Sequence, residues 1–369
     1  MRKPFTIPAF LLPAYFPSLD GMRALSITLV LFAHLSNPFK VSTAIRNSIV
    51  HLGVLGVQVF FVISGFLITT LLLKEKVLKA DISLKDFYFR RLLRIMPVAF
   101  LYLLCIAVLN AFFHLNIPLR CFVGATFFVA NLAYFQGSWY TAHYWSLSIE
   151  EQYYLVFPLL LKRFTRKIHL FLVFAILIII GLRTWAYSFT FPDSALMRTI
   201  GFLIYQSDGV LIGSLMAVLC FKRKLPLKFL ERNGVYISIV LPICIWLFHS
   251  GIIGYDSVNP AISCVLIALF ILCCMICRHS MLYSLLNHKY TIWLGRLSFS
   301  IYIWQQLFTS TDGKFGPFTK LPLNLLLLAV TSYCSYFFFE KRFLLLKEKF
   351  SRPGSPKPEI VNRDLLLPK

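Results

Sequence analysis

The sequence predicts an all-α fold, a polytopic membrane helix bundle of about ten transmembrane helices with both termini cytoplasmic. Three observations predict it. Of the 369 residues, 58% are hydrophobic and only 14% are charged, which is more apolar surface than one soluble core can hide beneath polar cover. The apolar residues run in blocks of about 18 or more, long enough to cross about 30 Å of hydrocarbon, and not in the stripe of a soluble amphipathic helix. Most of the 37 Lys and Arg fall in alternate connecting segments, as the positive-inside bias requires. That placement also removes the obvious reading of a formal charge of +22. With no soluble domain to present a basic face, no nucleic-acid partner is expected; membrane lipids are.

The blocks fall at 18–36, 53–73, 96–115, 144–161, 168–187, 201–221, 235–250, 258–277, 291–308 and 321–343. Arg23 and His34 lie in the first. Gly53, Gly56, Ser64 and Gly65 punctuate the second, and small residues let helices approach closely in lipid. The third follows a basic segment ending in Arg90, Arg91 and Arg94. The fourth opens on H-Y-W-S-L-S-I-E-E-Q-Y-Y. The fifth and sixth each hold one charge, Arg183 and Asp208, at similar depth. Cys273, Cys274 and Cys277 cluster in the eighth; with no second pair or His ladder nearby they read as small packing residues, and no metal is expected. Arg296 lies in the ninth. The apolar stretch at 121–135 is left out of the count, because letting it cross would move every later loop to the other side and erase the charge bias. It is expected to be re-entrant or to lie on the outer surface. Lys40, Arg46, Arg120, Arg198, Lys314 and Lys320 then face outward. Residues 1–17 read as a cytoplasmic segment without a cleavable signal, 18–343 as the membrane domain, and 344–369 as a cytoplasmic tail, solvated from 351 onward.

An ionisable group inside a span is costly and asks for a reason. Arg23 and His34 are eleven residues apart, close to three helical turns, so they share a face about 16 Å apart along the axis. Arg23 is expected near the cytoplasmic side and His34 deep in the bundle. Ser148 and Glu151 fit a capping box, which leaves Glu150, on the face of Ser146, as the better functional carboxylate. Arg91 and Arg94 sit three apart, a spacing that suits a polyanion gripped by two guanidinium forks. Arg183 and Asp208 either neutralise one another or line an approach for a polar acceptor.

In chain order, S-L-D-G-M-R-A-L with Arg23-x10-His34, G-V-Q-V-F-F-V-I-S-G-F-L-I, F-R-R-L-L-R-I-M-P, Y-W-S-L-S-I-E-E-Q-Y-Y, S-D-G-V-L-I-G-S-L, L-G-R-L-S-F-S-I-Y-I-W and F-E-K-R-F resemble the acyltransferase 3 family of membrane acyltransferases. The resemblance covers residues 18–343. It implies a ten-helix enzyme of the cell (inner, cytoplasmic) membrane that takes an acyl group, most often acetyl, from acyl-CoA and passes it to a hydroxyl of a glycan or glycolipid. Acetyl-CoA is then a donor substrate, and no permanently bound cofactor is expected. Arg23 and His34 occupy the family's R-x10-H positions, Arg91 and Arg94 its R-x-x-R, and Ser146 and Glu150 its S-x-x-x-E. Two positions depart from the pattern. The family often has His where this chain has Gln305, which cannot ionise, and Pro where this chain has Arg342. Some relatives carry a fused extracytoplasmic hydrolase-like domain; none is expected within these residues.

The mechanism that follows places the acyl-CoA phosphates on Arg91, Arg94 and Arg23, with the pantetheine arm rising to His34. His34 takes the proton of the acceptor hydroxyl, and Glu150 orients His34 or holds the acceptor, together with Ser146, Asp208 and Arg183. Direct transfer and a covalent acyl-enzyme both remain open, as does the oligomeric state. The rival from another class is a transporter or flippase of a lipid-linked glycan using the same intramembrane polar residues; a non-catalytic scaffold is a third.

Overall fold

The computed structural model describes residues 5–36, 42–188 and 206–349, and every regular element among them is helical. Arg2, Lys3, Lys40, Arg198, the start of the sixth expected block (201–205) and the tail from 351 lie outside the described residues.

Helix α1 (Pro17–Leu35) opens on a proline, whose missing N–H is no loss in a first turn. It runs unbroken, so the predicted register of Arg23 and His34 holds. Helix α2 (Thr43–Lys79) is capped by Ser42, whose hydroxyl accepts from the Ile45 N–H at 3.4 Å. It starts well before the expected block at 53–73 and is about 55 Å long, more than the hydrocarbon requires. A left-handed residue, Ala80 (φ 63°), ends it. Ser83 then caps α3 (Leu84–Phe113), which takes in the basic segment and sets Arg91 and Arg94 one turn apart on a helix.

Helix α4 (Leu119–Thr126) is too short to cross, at about 12 Å. Irregular chain and α5 (Trp139–Ala142) follow it, so the 121–135 stretch turns back on itself. Then come α6 (Tyr144–Phe164), α7 (Ile168–Ser188), α8 (Asp208–Phe221), α9 (Leu227–His249), α10 (Asn259–Ile276), α11 (Met281–Leu286) and α12 (Lys289–Phe308). Helix α13 (Leu323–Cys334) passes through a π-helical turn, Ser335–Glu340, into α14 (Lys341–Lys349). Arg342, in the place of the family's proline, lets that last helix continue.

Among the described residues, seven helices are long and apolar enough to cross a membrane: Pro17–Leu35, Ile45–Lys79, Leu84–Phe113, Ile168–Ala186, Leu227–His249, Asn259–Ile276 and Leu323–Leu346. Three of the ten expected spans do not reach that measure among the described residues, and polarity or length explains each. Helix α6 carries Glu150, Glu151, Lys162 and Arg163; α12 carries Arg296, Gln305 and Gln306; α8 has only 14 described residues. The outward faces of α7 and α9 expose Leu170, Phe174, Leu177, Ile239 and Ile243, surface that water would not tolerate in such a run. The chain is a multi-pass membrane protein.

Helix α1 lies between α2 and α12, and α2 packs along α8. Glycines set these distances. A Cβ on Gly65 would run into the Val210 carbonyl of α8, one on Gly213 into the Val62 carbonyl of α2, and one on Gly56 into the Ser26 carbonyl of α1. Lipid supplies little hydrophobic drive between helices, so such backbone contact is the main source of packing. Gly213→Val is expected to destabilise the bundle by about 1–3 kcal/mol or more, seen as a lowered melting temperature of the purified protein. The three clustered cysteines, Cys273, Cys274 and Cys277, are buried free thiols, and Gly234 of α9 packs against Cys277.

The capping-box reading of Ser148 and Glu151 is corrected. Helix α6 begins four residues earlier, at Tyr144, with no side-chain cap. Ser148 is interior; its hydroxyl donates to the Tyr144 carbonyl at 2.8 Å and accepts from the Ala130 N–H at 3.1 Å. With Gln152, which donates to the Phe128 carbonyl at 2.9 Å, it satisfies the backbone of the segment that turns back. Buried backbone groups in irregular chain need such partners.

Candidate functional site

Three cavities stand in series inside the bundle and share walls. The first, about 340 Å³, is bordered by Asp20, Arg23, Arg91, Arg94, Arg296 and Glu340. Four arginines against two carboxylates make it strongly positive. Its carboxylates are committed. Asp20 bonds Arg23 at 2.6 Å and the Tyr15 hydroxyl at 2.6 Å, with Arg296 at 4.0 Å. Glu340, brought inward by the π-helical turn, accepts from the Ser300 hydroxyl. Burial, and then the Asp20 charge, push the Tyr15 phenol well above its ordinary pKa, so it stays a neutral donor. Arg91 and Arg94 form no ion pair among the described residues. Arg91 instead lies over the rings of Tyr154 at 5.3 Å and Phe87 at 5.8 Å, which align its guanidinium plane.

The second cavity is narrower, about 90 Å³. It shares Arg23, Arg91, Arg94 and Phe299 with the first and adds Ser64, Ser146 and Glu150. Five of the residues picked out in the sequence thus meet here. Glu150 faces the Ser64 hydroxyl. Ser146 donates to the His143 carbonyl at 3.0 Å, and its oxygen lies 2.6 Å from the Tyr302 hydroxyl.

Val57 and Tyr302 border both the second cavity and a third, about 300 Å³, which is lined by His34, His143, Trp139, Trp145 and Gln306. His34 lies against Gln305: its Nδ1 is 2.8 Å from the amide Oε1. The edge of Trp139 meets the imidazole at a centroid distance of 5.3 Å, and the Trp139 indole N–H donates to the Gln306 carbonyl at 2.9 Å. Beyond it a fourth cavity, lined by the turned-back segment, shares Trp139, Ala142 and Trp145 with the His34 cavity. The cavities that adjoin between Arg91 and His34 are thus walled mainly by helix side chains, and the 121–142 segment walls the one beyond His34.

Arg183 and Asp208 are not part of these walls. They form a buried ion pair at 3.0 Å between α7 and α8, and Arg183 also donates to the Ser257 carbonyl at 3.2 Å. The residues that sequence reasoning passed over are Trp139, His143, Tyr302 and Gln306, together with Gln305 as a neighbour of the imidazole. The signal for the last was a Gln-Gln pair at the apolar end of α12, costly for the same reason as a charge.

The fold and these cavities define a class: multi-pass membrane proteins with a polar site threaded between helices, cationic at one end and bearing an imidazole at the other. The chain belongs to the acyltransferase 3 family, whose acyltransferase domain matches residues 16–339, a span that contains Arg23, His34, Arg91, Arg94, Ser146 and Glu150. It is similar to O-acetyltransferase OatA of Staphylococcus aureus strain MRSA252, 28% identical over 388 residues, covering 92% of this chain and 60% of the relative. A second similar protein, OatA of strain NCTC 8325, is 28% identical over 368 residues, covering 89% and 57%. The chain thus spans less than two thirds of the length of these curated relatives. No solved structure matches it.

Proposed function

We propose that the chain is a membrane O-acetyltransferase of the cytoplasmic membrane, with about ten crossings and both termini inside. It moves an acetyl group from cytoplasmic acetyl-CoA to a hydroxyl of a glycan or glycolipid. The observation that carries this reading is the row of adjoining cavities between Arg91 and Arg94 at one end and His34 at the other. A donor with a phosphorylated head and a long thin arm fits a wide cationic chamber, a narrow waist and a second chamber. The head rests on Arg91, Arg94 and Arg23, where guanidinium forks match phosphate oxygens. The arm crosses the waist past Ser146 and Glu150, and the thioester reaches His34. The acceptor comes from the opposite side, through the cavity walled by Trp139 and Trp145. Aromatic faces with a few polar groups between them suit a hydroxylated ring. The relatives named OatA support acetyl as the group and a hydroxyl oxygen as its destination.

His34 then acts as general base on that hydroxyl. Glu150, one cavity away from the imidazole, holds the arm or the acceptor. The Arg183–Asp208 pair anchors α7 to α8. Removing one partner of a buried pair strands the other, so Asp208→Asn should lower stability by about 3–5 kcal/mol while leaving the KM for acetyl-CoA unchanged in the protein that does fold. A raised KM at unaltered melting temperature would place the pair in the substrate path instead.

The function is tested by supplying [14C]acetyl-CoA to membrane vesicles of the cells that make the protein, which contain its natural acceptor. Label in the glycan fraction is expected. Movement of glycan across the bilayer without label would replace the transferase with a transporter.

A further inference from the structure

Reading His34 as the base leaves open what makes it one. An imidazole serves as a base only through a nitrogen whose lone pair is bare, and the hydrogen bond made by the other nitrogen decides which that is. An amide oxygen only accepts. With Gln305 Oε1 2.8 Å from His34 Nδ1, the hydrogen belongs on Nδ1 and the lone pair on Nε2. Among the described residues Nε2 has no partner, and the imidazole lines the third cavity.

We propose that Gln305 is the positioning residue of this site, fixing His34 in the Nδ1–H tautomer and aiming Nε2 at the acceptor hydroxyl. The proposal rests on the reading of His34 as general base. Burial and the packing of its helix hold Gln305 in place, while its amide nitrogen is enclosed without a partner among the described residues. Its side chain is fully buried. Helix α12, which carries it, meets α1 backbone to backbone where Gly295 faces the Asp20 carbonyl, with no space for a Cβ. Ten residues further along the same helix, the Gln305 carbonyl accepts from the Thr309 hydroxyl at 2.9 Å. Trp139 packs against the imidazole, with ring centroids 5.3 Å apart, and is itself tied to the Gln306 carbonyl.

The balance of the step is simple. The acceptor O–H bond breaks and its proton goes to Nε2 as the oxygen bonds the thioester carbon. The C–S bond then breaks, and the departing CoA thiolate takes the proton back from Nε2. Throughout, Nδ1–H donates to Gln305. The amide carries no charge, so it orients the ring without acting as a counter-ion. This replaces the expectation that Glu150 orients His34, since Glu150 borders the neighbouring cavity and faces Ser64.

Three variants in the labelled-vesicle assay test it, each normalised to the amount of folded protein. Gln305→Met keeps length and burial but has no acceptor; its maximal rate should fall about 10²-fold or more, with the KM for acetyl-CoA within about threefold of the parent. Gln305→Glu keeps an acceptor oxygen in the same place and should return the rate to within about tenfold of the parent. A role in packing alone would make the two variants equally impaired and would lower the melting temperature of Gln305→Met. Parental turnover in Gln305→Met, or a folded Gln305→Glu as inactive as the methionine variant, overturns the proposal. His34→Ala run beside them separates the two claims: activity there removes the base itself, whereas an inactive His34→Ala with an active Gln305→Met removes only the positioning role.

Discussion

Substituting alanine for His34 is expected to abolish acetyl transfer while the protein still folds and inserts. A positioned base contributes about 10²–10⁴-fold to a proton transfer, about 3–5 kcal/mol of barrier, and nothing else bordering the third cavity is as well placed to replace it. His143 is the nearest second imidazole, but both its ring nitrogens are enclosed and without hydrogen-bond partners, out of reach of a hydroxyl in the cavity. The imidazole of His34 is half-buried and makes one hydrogen bond through its Nδ1, so its removal leaves a modest void and one freed amide oxygen. The melting temperature should therefore change little. The measurement is the initial rate of label transfer at saturating acetyl-CoA, with a melting curve on the same preparation. Near-normal turnover would remove His34 from the mechanism.

The second large effect is on donor binding. Arg91→Ala together with Arg94→Ala should raise the KM for acetyl-CoA by about 10²-fold or more, since hydrogen bonds to a charged group contribute about 1.5–3 kcal/mol each. The rate at saturation should fall far less. Because the two guanidinium groups border one cavity, their effects should not add. Replacing both by lysine keeps the charge but loses the planar fork and, for Arg91, the stacking on Tyr154; partial recovery is expected. An unchanged KM in the double alanine variant would mean that the donor head rests elsewhere.

How much of this was legible in the sequence depends on whether the information is local. The face shared by Arg23 and His34 follows from helical geometry once α1 is continuous, and α1 is continuous because nothing between Pro17 and Leu35 breaks it. The pairing of Arg91 with Arg94 is local in the same way. What lies opposite each face is not. Gln305 is 271 positions from His34, and only the packing of α1 on α12 brings them together. The Arg183–Asp208 contact, one of two readings open in the sequence, needed α7 and α8 to be adjacent. The capping box failed because the start of α6 is set by where the turned-back segment releases the chain, which no motif within α6 records. Hydropathy passes over α6, which carries Glu150, Glu151, Lys162 and Arg163, and α12, which carries Arg296, Gln305 and Gln306; α8, with 14 described residues, falls short in length. For that reason seven helices answer to a length-and-hydropathy measure where the blocks and loop charges suggest ten.

In the proposed reaction one donor molecule reaches from the paired arginines to the imidazole. The most direct measurement is a structure of the protein with a non-transferable acetyl-CoA analogue bound. The phosphates are expected against Arg91 and Arg94, the arm past Tyr302, and the acyl carbon in the cavity of His34, with space about 3–3.5 Å away for an attacking oxygen next to Nε2. An analogue bound at the arginines with its acyl end folded back toward the entrance of the first cavity, leaving His34 untouched, would contradict it.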